Sequence, residues 1–222
     1  MKLAHFALDT PFTWQEDNIC TLVLENNKFY RDTITKLIEQ SSTGVGDFTL
    51  SESNEVLAFD KFVEVISDVF VADASINKSI ISGLQKELSN HARFEMAEEW
   101  IEIFGQLNRL ISRLSYGSDV DVAFDDINDV SALLKLYRLR PDCDNLCFSE
   151  KIIMYMDLLR KYCKKQLFVV VNIKACFTDE ELDCFYRDVI YHKLNLLCIE
   201  HHDSRLSRYE IKKILDSDMC EL

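Results

Sequence analysis

Proline and glycine are scarce in this chain, which has two prolines and five glycines in 222 residues. So few helix-breaking residues favour long helices and argue against an all-β sandwich. No stretch reaches eighteen consecutive apolar residues, so no transmembrane helix is expected. The first residues contain one lysine and no apolar run of signal-peptide length, and we therefore expect a cytoplasmic protein.

Several motifs that mark enzymes are also missing. The chain has no G-x-x-x-x-G-K-[ST] phosphate loop, no G-x-G-x-x-G fingerprint and no G-x-S-x-G elbow. Gly44 and Gly46 lie close together, but no lysine follows them, and a plain turn is favoured. His201 and His202 follow a predicted strand, where α/β proteins place ligands, but adjacent histidines on a solvated loop more often have no such role. Glu200 ends that strand and is interpreted as a cap of the next element.

Cysteine is present eight times, without a spacing that defines a metal site. Cys143 and Cys147 are four residues apart, but no second pair or nearby histidine completes a zinc set. Most of the others lie in apolar or amphipathic segments, where a free cysteine behaves as a small hydrophobic residue.

Strand and helix signals stand at both ends of the chain. The apolar runs CTLVLE, QLFVVVN and LNLLCIE predict strands buried on both faces of a parallel sheet. FTLS and EVLAF predict short extended segments. KFYRDTITKLIEQ, SEKIIMYMDLLRKYCKK and TDEELDCFYRDVIYH predict amphipathic helices, the second capped by Ser149 and the third by Thr178. SRYEIKKILD predicts a final helical segment.

The middle of the chain has only helical periodicity, from about residue 60 to residue 142. The predicted fold class is therefore α/β, with a mostly parallel sheet and a long α-helical insertion. The predicted domains are a discontinuous α/β head domain, residues 1–59 and 147–222, and a helical leg domain, residues 60–146.

Charge is unevenly distributed. The net charge is −13, which by itself argues against nucleic acid binding. Residues 131–174, however, hold nine basic and four acidic side chains, so this segment is +5 and the rest of the chain is −18. Such segregation can create a local anion-binding face on an acidic protein.

The stretch GSDVDVAFDDIND, residues 117–129, crowds five aspartates together: Asp119, Asp121, Asp125, Asp126 and Asp129. One interpretation is a solvated loop, with Asp125 and Asp126 capping a helix that begins near residue 127. The other is a calcium site, because calcium takes six to eight oxygen ligands and cancels the repulsion between close carboxylates. The spacing is not that of an EF-hand, since Phe124 replaces the glycine that such a loop requires.

Five stretches together resemble a known family: TLVLENN, DASINKSII, VDVAFDDIND, LFVVVNIKACFTDEEL and LNLLCIE, in this order. The chain resembles the type II-A CRISPR-associated adaptation protein that forms a ring around double-stranded DNA. The resemblance implies a head with a degenerate nucleotide-binding-type sheet, no NTPase activity and an inserted helical leg. It also implies a homotetrameric ring with a basic hole, bound Ca²⁺, binding to duplex ends, and spacer acquisition beside the nuclease and integrase proteins of the same locus.

The resemblance favours the calcium interpretation of the aspartates. The acidic stretch of the family matches at Asp119, Asp121, Asp125 and Asp126, whereas Ala123 stands where a further acid is expected. Asp129 completes the predicted metal-binding set.

The predicted DNA contacts come from two helices. Lys135 and Arg138 lie three residues apart and are expected to share a helix face. Lys161, Lys164 and Lys165 end a later helix, where lysines can instead merely complement the helix dipole. These five residues are the predicted contacts to the phosphates of double-stranded DNA.

The function predicted from the sequence is a non-catalytic, DNA-end-binding ring protein. Two alternatives stay open. A nucleotide-binding α/β enzyme would bind or hydrolyse ATP, and a protein-binding adaptor would show no salt-dependent binding to DNA.

Overall fold

The chain folds into two compact units. The computed structural model describes residues 1–14, 17–125, 129–204 and 206–222. The first unit combines Met1–Ala74 with Cys143–Leu222, and we call it the head unit. The second, Ser75–Asp142, lies between these halves in the chain, and we call it the helical unit. The domain boundaries predicted from the sequence lay at residues 59/60 and 146/147.

The strands all belong to the head unit among the described residues. In chain order they are β1 Lys2–His5, β2 Phe12–Thr13, β3 Ile19–Leu24, β4 Phe48–Glu52, β5 Glu55–Val56, β6 Val63–Ile66, β7 Leu167–Val171, β8 Asn195–Glu200 and β9 Glu210–Leu215. The helices of both units are α1 Asn27–Thr43, α2 Phe59–Phe62, α3 Lys78–Glu95, α4 Ala97–Tyr116, α5 Val130–Leu136, α6 Phe148–Cys163 and α7 Asp179–Tyr191.

A parallel sheet forms the centre of the head unit. Among the described residues it has five strands in the order β6-β7-β8-β3-β9. Every residue of β3 and β7 is buried, as expected for strands covered on both faces. The register places Cys20 opposite Leu197 on one side and opposite Ile211 on the other. The predicted α/β class with a mostly parallel sheet is confirmed.

A second, antiparallel sheet has the order β2-β1-β4-β5 within the described part of the chain. Its apolar side chains join those of β3 and β7 in one core cluster, which includes Phe12 and Leu50. Trp14 fixes the join between the sheets, because its buried indole N–H donates to the Leu196 carbonyl at 2.9 Å. The sequence analysis missed β1 and β2, which are short and belong to a sheet that faces the core on one side only.

Two segments predicted as helical are strands, and these predictions were wrong. VEVI forms β6, paired in parallel with β7, and EIKKIL forms β9, paired in parallel with β3. Both contain β-branched residues that suit an extended chain. Both are also edge strands, and β9 carries lysines as protected edges often do. Their pairing is a tertiary contact that local helical periodicity does not report.

Helix ends follow local capping chemistry in the head unit. Thr178 caps α7 as predicted, and the Glu181 carboxylate completes a capping box by accepting from the Thr178 amide at 2.8 Å. The predicted cap of α6 was displaced by two residues, because Cys147 rather than Ser149 precedes the helix. Gly44 ends α1 in the left-handed conformation, φ 77°, and its amide bonds to the Gln40 carbonyl, so the glycine pair is the plain turn expected.

The helical unit is built from α3, α4 and α5, with α3 packed against both of the others. Ile80, Phe104 and Val130 are its buried apolar anchors. Trp100 meets Phe104 edge-on, with ring centroids 4.4 Å apart. Among the described residues of the whole chain, no helix is both long enough and apolar enough to span a membrane.

Candidate nucleic-acid and cation sites

The strongest basic feature of the helical unit is a short run at the end of α5. Lys135 lies in the last turn of α5, while Arg138 and Arg140 follow the helix, and all three side chains are exposed. None of them forms an ion pair with another residue that the structure describes. Three cations within six positions therefore face solvent, as contacts to phosphate require.

Lys135 and Arg138 do not share one helix face, so that part of the prediction was wrong. The helix ends at Leu136, and Arg138 adopts a left-handed backbone conformation with φ 52°. Its amide donates to the Lys135 carbonyl at 3.0 Å, which tightens the chain into a turn. The two cations thus extend from a helix end and the turn behind it. Their role in DNA binding stays a prediction.

The three lysines at the end of α6 occupy different environments. Lys161 is exposed, and its ammonium lies 5.0 Å from the centre of the Tyr162 ring. Lys164 is exposed and ends α6 in the left-handed conformation. Lys165 instead points into the unit: its ammonium donates to the carbonyls of Asp60 at 2.9 Å and Val63 at 2.6 Å.

Lys165 also pairs with the Glu64 carboxylate at 3.3 Å, and only 14% of its side chain is exposed. These contacts attach the end of α6 to edge strand β6. The structure therefore gives Lys165 a part in holding the sheet edge, and we leave it out of the DNA contacts proposed below.

Two further cations of the +5 segment form ion pairs with carboxylates of the head unit. Arg160 pairs with Asp157 at 2.6 Å and donates to the His192 carbonyl, also at 2.6 Å. Lys174 pairs with Glu210 at 2.8 Å, with 8% of its side chain exposed. Arg160 is exposed despite these contacts, and the other exposed cations of this segment are Lys135, Arg138, Arg140, Lys151, Lys161 and Lys164.

The aspartate-rich stretch is an irregular segment after α4. Asp119, Asp121 and Asp125 are exposed, while Asp126 and the predicted helix start near residue 127 lie outside the described residues. Among the residues that are described, no three histidine, cysteine, aspartate or glutamate side chains come close enough to hold a metal ion. The described carboxylates therefore do not form an assembled calcium site.

Asp129 has a different role from the other aspartates. It caps α5, since its carboxylate accepts from the Ser131 amide at 3.1 Å and from the Ser131 hydroxyl. It also pairs with Arg93 of α3 at 3.2 Å. The Ser131 hydrogen bonds, then the Arg93 guanidinium, lower the pKa of Asp129, which keeps it ionised at neutral pH. The observed cap of α5 is thus Asp129, about one turn after Asp125 and Asp126, which the sequence suggested.

A buried polar network crosses the parallel sheet, and the sequence analysis missed it. The fully buried Glu210 carboxylate accepts from Thr21 at 2.7 Å, from Tyr186 at 3.0 Å and from the Lys174 ammonium. Burial raises the pKa of Tyr186, which remains a neutral hydrogen-bond donor. The network satisfies its charges internally, which is typical of a structural cluster.

Glu200 lies at the end of β8 beside this network. Its carboxylate accepts from the Lys174 amide at 3.2 Å, and only 5% of the residue is exposed. Burial raises the pKa of Glu200 to about 7, with Glu210 adding to the effect and the Lys174 amide and charge opposing it. Glu200 is therefore a buried carboxyl that holds its proton to higher pH than an ordinary glutamate, and its role as a cap of the next element stays a prediction.

The remaining candidates have structural contacts. A ring nitrogen of His201 lies 2.9 Å from the Leu24 carbonyl, and its ring centre lies 4.8 Å from that of Tyr30. Cys143 is buried with its sulfur 3.9 Å from that of Met154, while Cys147 is exposed at the start of α6. Within the described residues, neither the histidine pair nor the cysteine pair belongs to a cluster that could hold a metal ion.

The fold therefore combines a parallel α/β head, without a phosphate loop in its sequence, and an inserted helical unit with an exposed basic run. Residues 40–219 match the sequence model of the family described as CRISPR-associated protein (Cas_Csn2). Because this match covers most of the chain, the chain belongs to the type II-A CRISPR-associated Csn2 family, and the resemblance seen in the sequence is confirmed. No curated protein matches the chain.

Proposed function

We propose that this chain is a non-catalytic protein that binds double-stranded DNA, with a preference for duplex ends, during CRISPR spacer acquisition. Membership of the family supports the association with CRISPR. The observation that carries DNA binding is the exposed run of Lys135, Arg138 and Arg140 on the helical unit. We extend the contact set to Lys161 and Lys164 of the head unit, which are also exposed.

The proposed contacts are to phosphate and not to bases. Lysine and arginine at a helix end and in a turn can reach backbone oxygens, but they present no ordered set of donors to a groove. Binding should therefore be independent of sequence and should weaken steeply with salt, because each neutralised phosphate releases a counterion. An acidic chain of net charge −13 needs its cations concentrated to bind such a polyanion.

Assembly into a homotetrameric ring would provide that concentration. A ring brings four basic runs around one hole and leaves the acidic surface outside. Exposed apolar side chains of α4 support self-association: Ile103, Leu110 and Leu114 recur at helical spacing and are 44%, 49% and 64% exposed. Such a stripe on a soluble surface is typical of an interface. Nuclease and integrase proteins of the adaptation machinery are the further partners we propose.

Calcium is part of the proposal, although the described carboxylates are not assembled around a site. Asp119, Asp121 and Asp125 repel one another in an exposed segment, and calcium accepts flexible arrangements of carboxylate oxygens. The aspartates precede α5, which carries Lys135. Neutralising them would remove a negative field beside the basic run.

A nucleotide-dependent enzyme is the weaker proposal for this head. At the position after β3 where phosphate loops occur, the chain has the sequence ENN without a glycine. The Asn26 side chain there caps α1 by accepting from the Phe29 amide at 3.0 Å, and it donates to the Ser217 carbonyl at 2.9 Å. The amide side chain thus already occupies the place in which a phosphate would meet the helix start.

A salt titration of DNA binding tests the main proposal. Lys135→Glu should weaken binding to all duplex sequences alike, by about tenfold or more, and should lower the slope of log K against log salt by about 1 for each lost contact. Lys28→Glu, an exposed lysine of α1, is the matched control and should bind as the unmodified protein does.

Linear and closed-circular duplexes of one sequence test the preference for ends, and the linear duplex should bind more tightly.

Two outcomes would contradict the proposal. Unchanged affinity of Lys135→Glu, or an effect confined to one sequence, would refute the contact between Lys135 and phosphate. Light scattering that shows a monomer while DNA binding persists would refute the ring.

A further inference from the structure

We propose that a cavity in the head unit is a docking site for a basic, apolar peptide segment of a partner protein. The cavity lies between the turn after β6, the start of α6 and the start of α7. Its volume is about 590 Å³, and ligand-binding pockets typically measure roughly 300–1,000 Å³. The inference concerns only the head unit and does not depend on DNA binding.

A column of phenylalanine rings connects this cavity to the core. The ring centres of Phe70 and Phe148 are 5.3 Å apart, those of Phe148 and Phe177 5.5 Å, and those of Phe177 and Phe185 5.2 Å. Phe185 is completely buried, whereas Phe70 is 74% exposed. A partner side chain placed on Phe70 would therefore continue a packed aromatic stack, and such aromatic positions dominate the energy of interfaces.

Phe70 is held at the surface by local structure. It lies in a single helical turn, Val69–Val71, and the Asp68 carboxylate accepts from the Phe70 amide at 2.9 Å. The preceding Val69 is buried and anchors the turn. Because the exposed ring is positioned before any partner arrives, binding loses little conformational entropy there.

The charge around the cavity identifies the chemistry of the occupant. Glu180 and Glu181 contribute to the lining, and among the described lining residues there is no lysine or arginine. Hydrogen bonds from Thr178 lower the pKa of Glu181, so it is ionised at neutral pH. Burial first, and then the negative charges of Glu200 and Asp68, raise the pKa of Cys176 at the same cavity.

A basic peptide segment fits these features better than DNA or a second copy of this chain would. Its apolar side chain would cover Phe70, its lysine or arginine would pair with Glu180, and a cation can also lie over an exposed aromatic ring. DNA would be repelled by the glutamates. A second copy of this chain carries a net charge of −13 and is a poorer electrostatic match.

The alkylation rates of the cysteines that line the cavity report directly whether a peptide occupies it. Cys147 and Cys184 line it and are exposed, while Cys220 is exposed elsewhere in the chain. The probe is a synthetic amphipathic peptide of leucine and lysine, and its control is the same peptide with glutamate in place of lysine. The measurement is the alkylation rate of each cysteine in the full-length protein, followed by mass spectrometry.

The lysine peptide, at about ten times its Kd, should slow alkylation of Cys147 and Cys184 about tenfold by mass action. It should leave Cys220 unchanged, and the glutamate peptide should protect none of the three. Phe70→Ser should raise the Kd about tenfold, so that the same peptide concentration slows alkylation only about twofold. Glu180→Lys should weaken the protection also. Phe6→Ser, a similarly exposed phenylalanine outside the cavity, should not.

Three results would overturn the proposal. One is equal slowing of all three cysteines, which would indicate nonspecific coating of an acidic protein. Another is unchanged protection in Phe70→Ser. The last is protection of Cys147 and Cys184 by raised protein concentration alone, which would make a second copy the occupant.

Discussion

Glu200 should make the stability of this protein fall as the pH rises towards neutral. The burial of its carboxyl raises its pKa to about 7 in the folded chain, from 4.5 in an ordinary environment. Between these values the folded state keeps a proton that the unfolded state has lost. The free energy of unfolding must therefore decrease as pH increases through this window.

The size of the effect follows from the two pKa values. At about 1.36 kcal/mol for each pH unit, the ionised Glu200 costs the folded state roughly 3 kcal/mol at pH 8. Glu200→Gln removes this titration while keeping an oxygen that can accept from the Lys174 amide. The variant should gain stability relative to the unmodified protein as pH rises, by about 2 kcal/mol between pH 5.5 and pH 8.

Urea unfolding at a series of pH values and one protein concentration measures this difference. Constant concentration matters because self-association adds to apparent stability. Glu55→Gln, an exposed glutamate of β5, is the control and should follow the unmodified protein at every pH. If the stability curves of Glu200→Gln and the unmodified protein are parallel, Glu200 does not titrate in this window and the reasoning from burial fails.

Two other predictions concern a buried cation and the acidic segment. Lys165→Met should lower the free energy of unfolding by about 2 kcal/mol, because it leaves two carbonyls and Glu64 without their partner. The control Lys164→Met changes an exposed lysine and should change the free energy of unfolding by less than about 0.5 kcal/mol. Equal urea midpoints for the two variants would contradict the structural role of Lys165. For calcium, chelator should lower the melting temperature and the DNA affinity of the unmodified protein, and the double change of Asp121 and Asp125 to alanine should abolish both effects. Glu52 and Glu55 changed together to alanine are the control, and a chelator without effect on the unmodified protein would refute the site.

Local sequence predicted those parts of the fold whose signal is strong within a few residues. The continuous apolar runs of β3, β7 and β8 can be stable only when both faces are covered, so their pattern predicts a parallel sheet. The start of α7 was predicted from Thr178 and the acids behind it, because a cap is satisfied within one turn. The family was recognised from the order of such segments along most of the chain.

Tertiary contacts determined the elements whose local signal is weak. β6 and β9 have periodicity that also suits a helix, and they are strands because β7 and β3 offer them free edges. A short segment can form its backbone hydrogen bonds with any neighbouring strand that is available, and the segment's own sequence does not determine which strand that is.

The candidate sites show the same division at the level of single side chains. Composition and order along the chain determined that basic residues are concentrated in residues 131–174 and that aspartates crowd residues 119–129. Only the folded structure separated Lys165, paired inside the head unit, from its neighbour Lys164, which faces solvent. Likewise, the raised pKa of Glu200 comes first from its burial in the fold. The sequence determines which side chains can titrate, but the groups packed around a side chain determine its pKa.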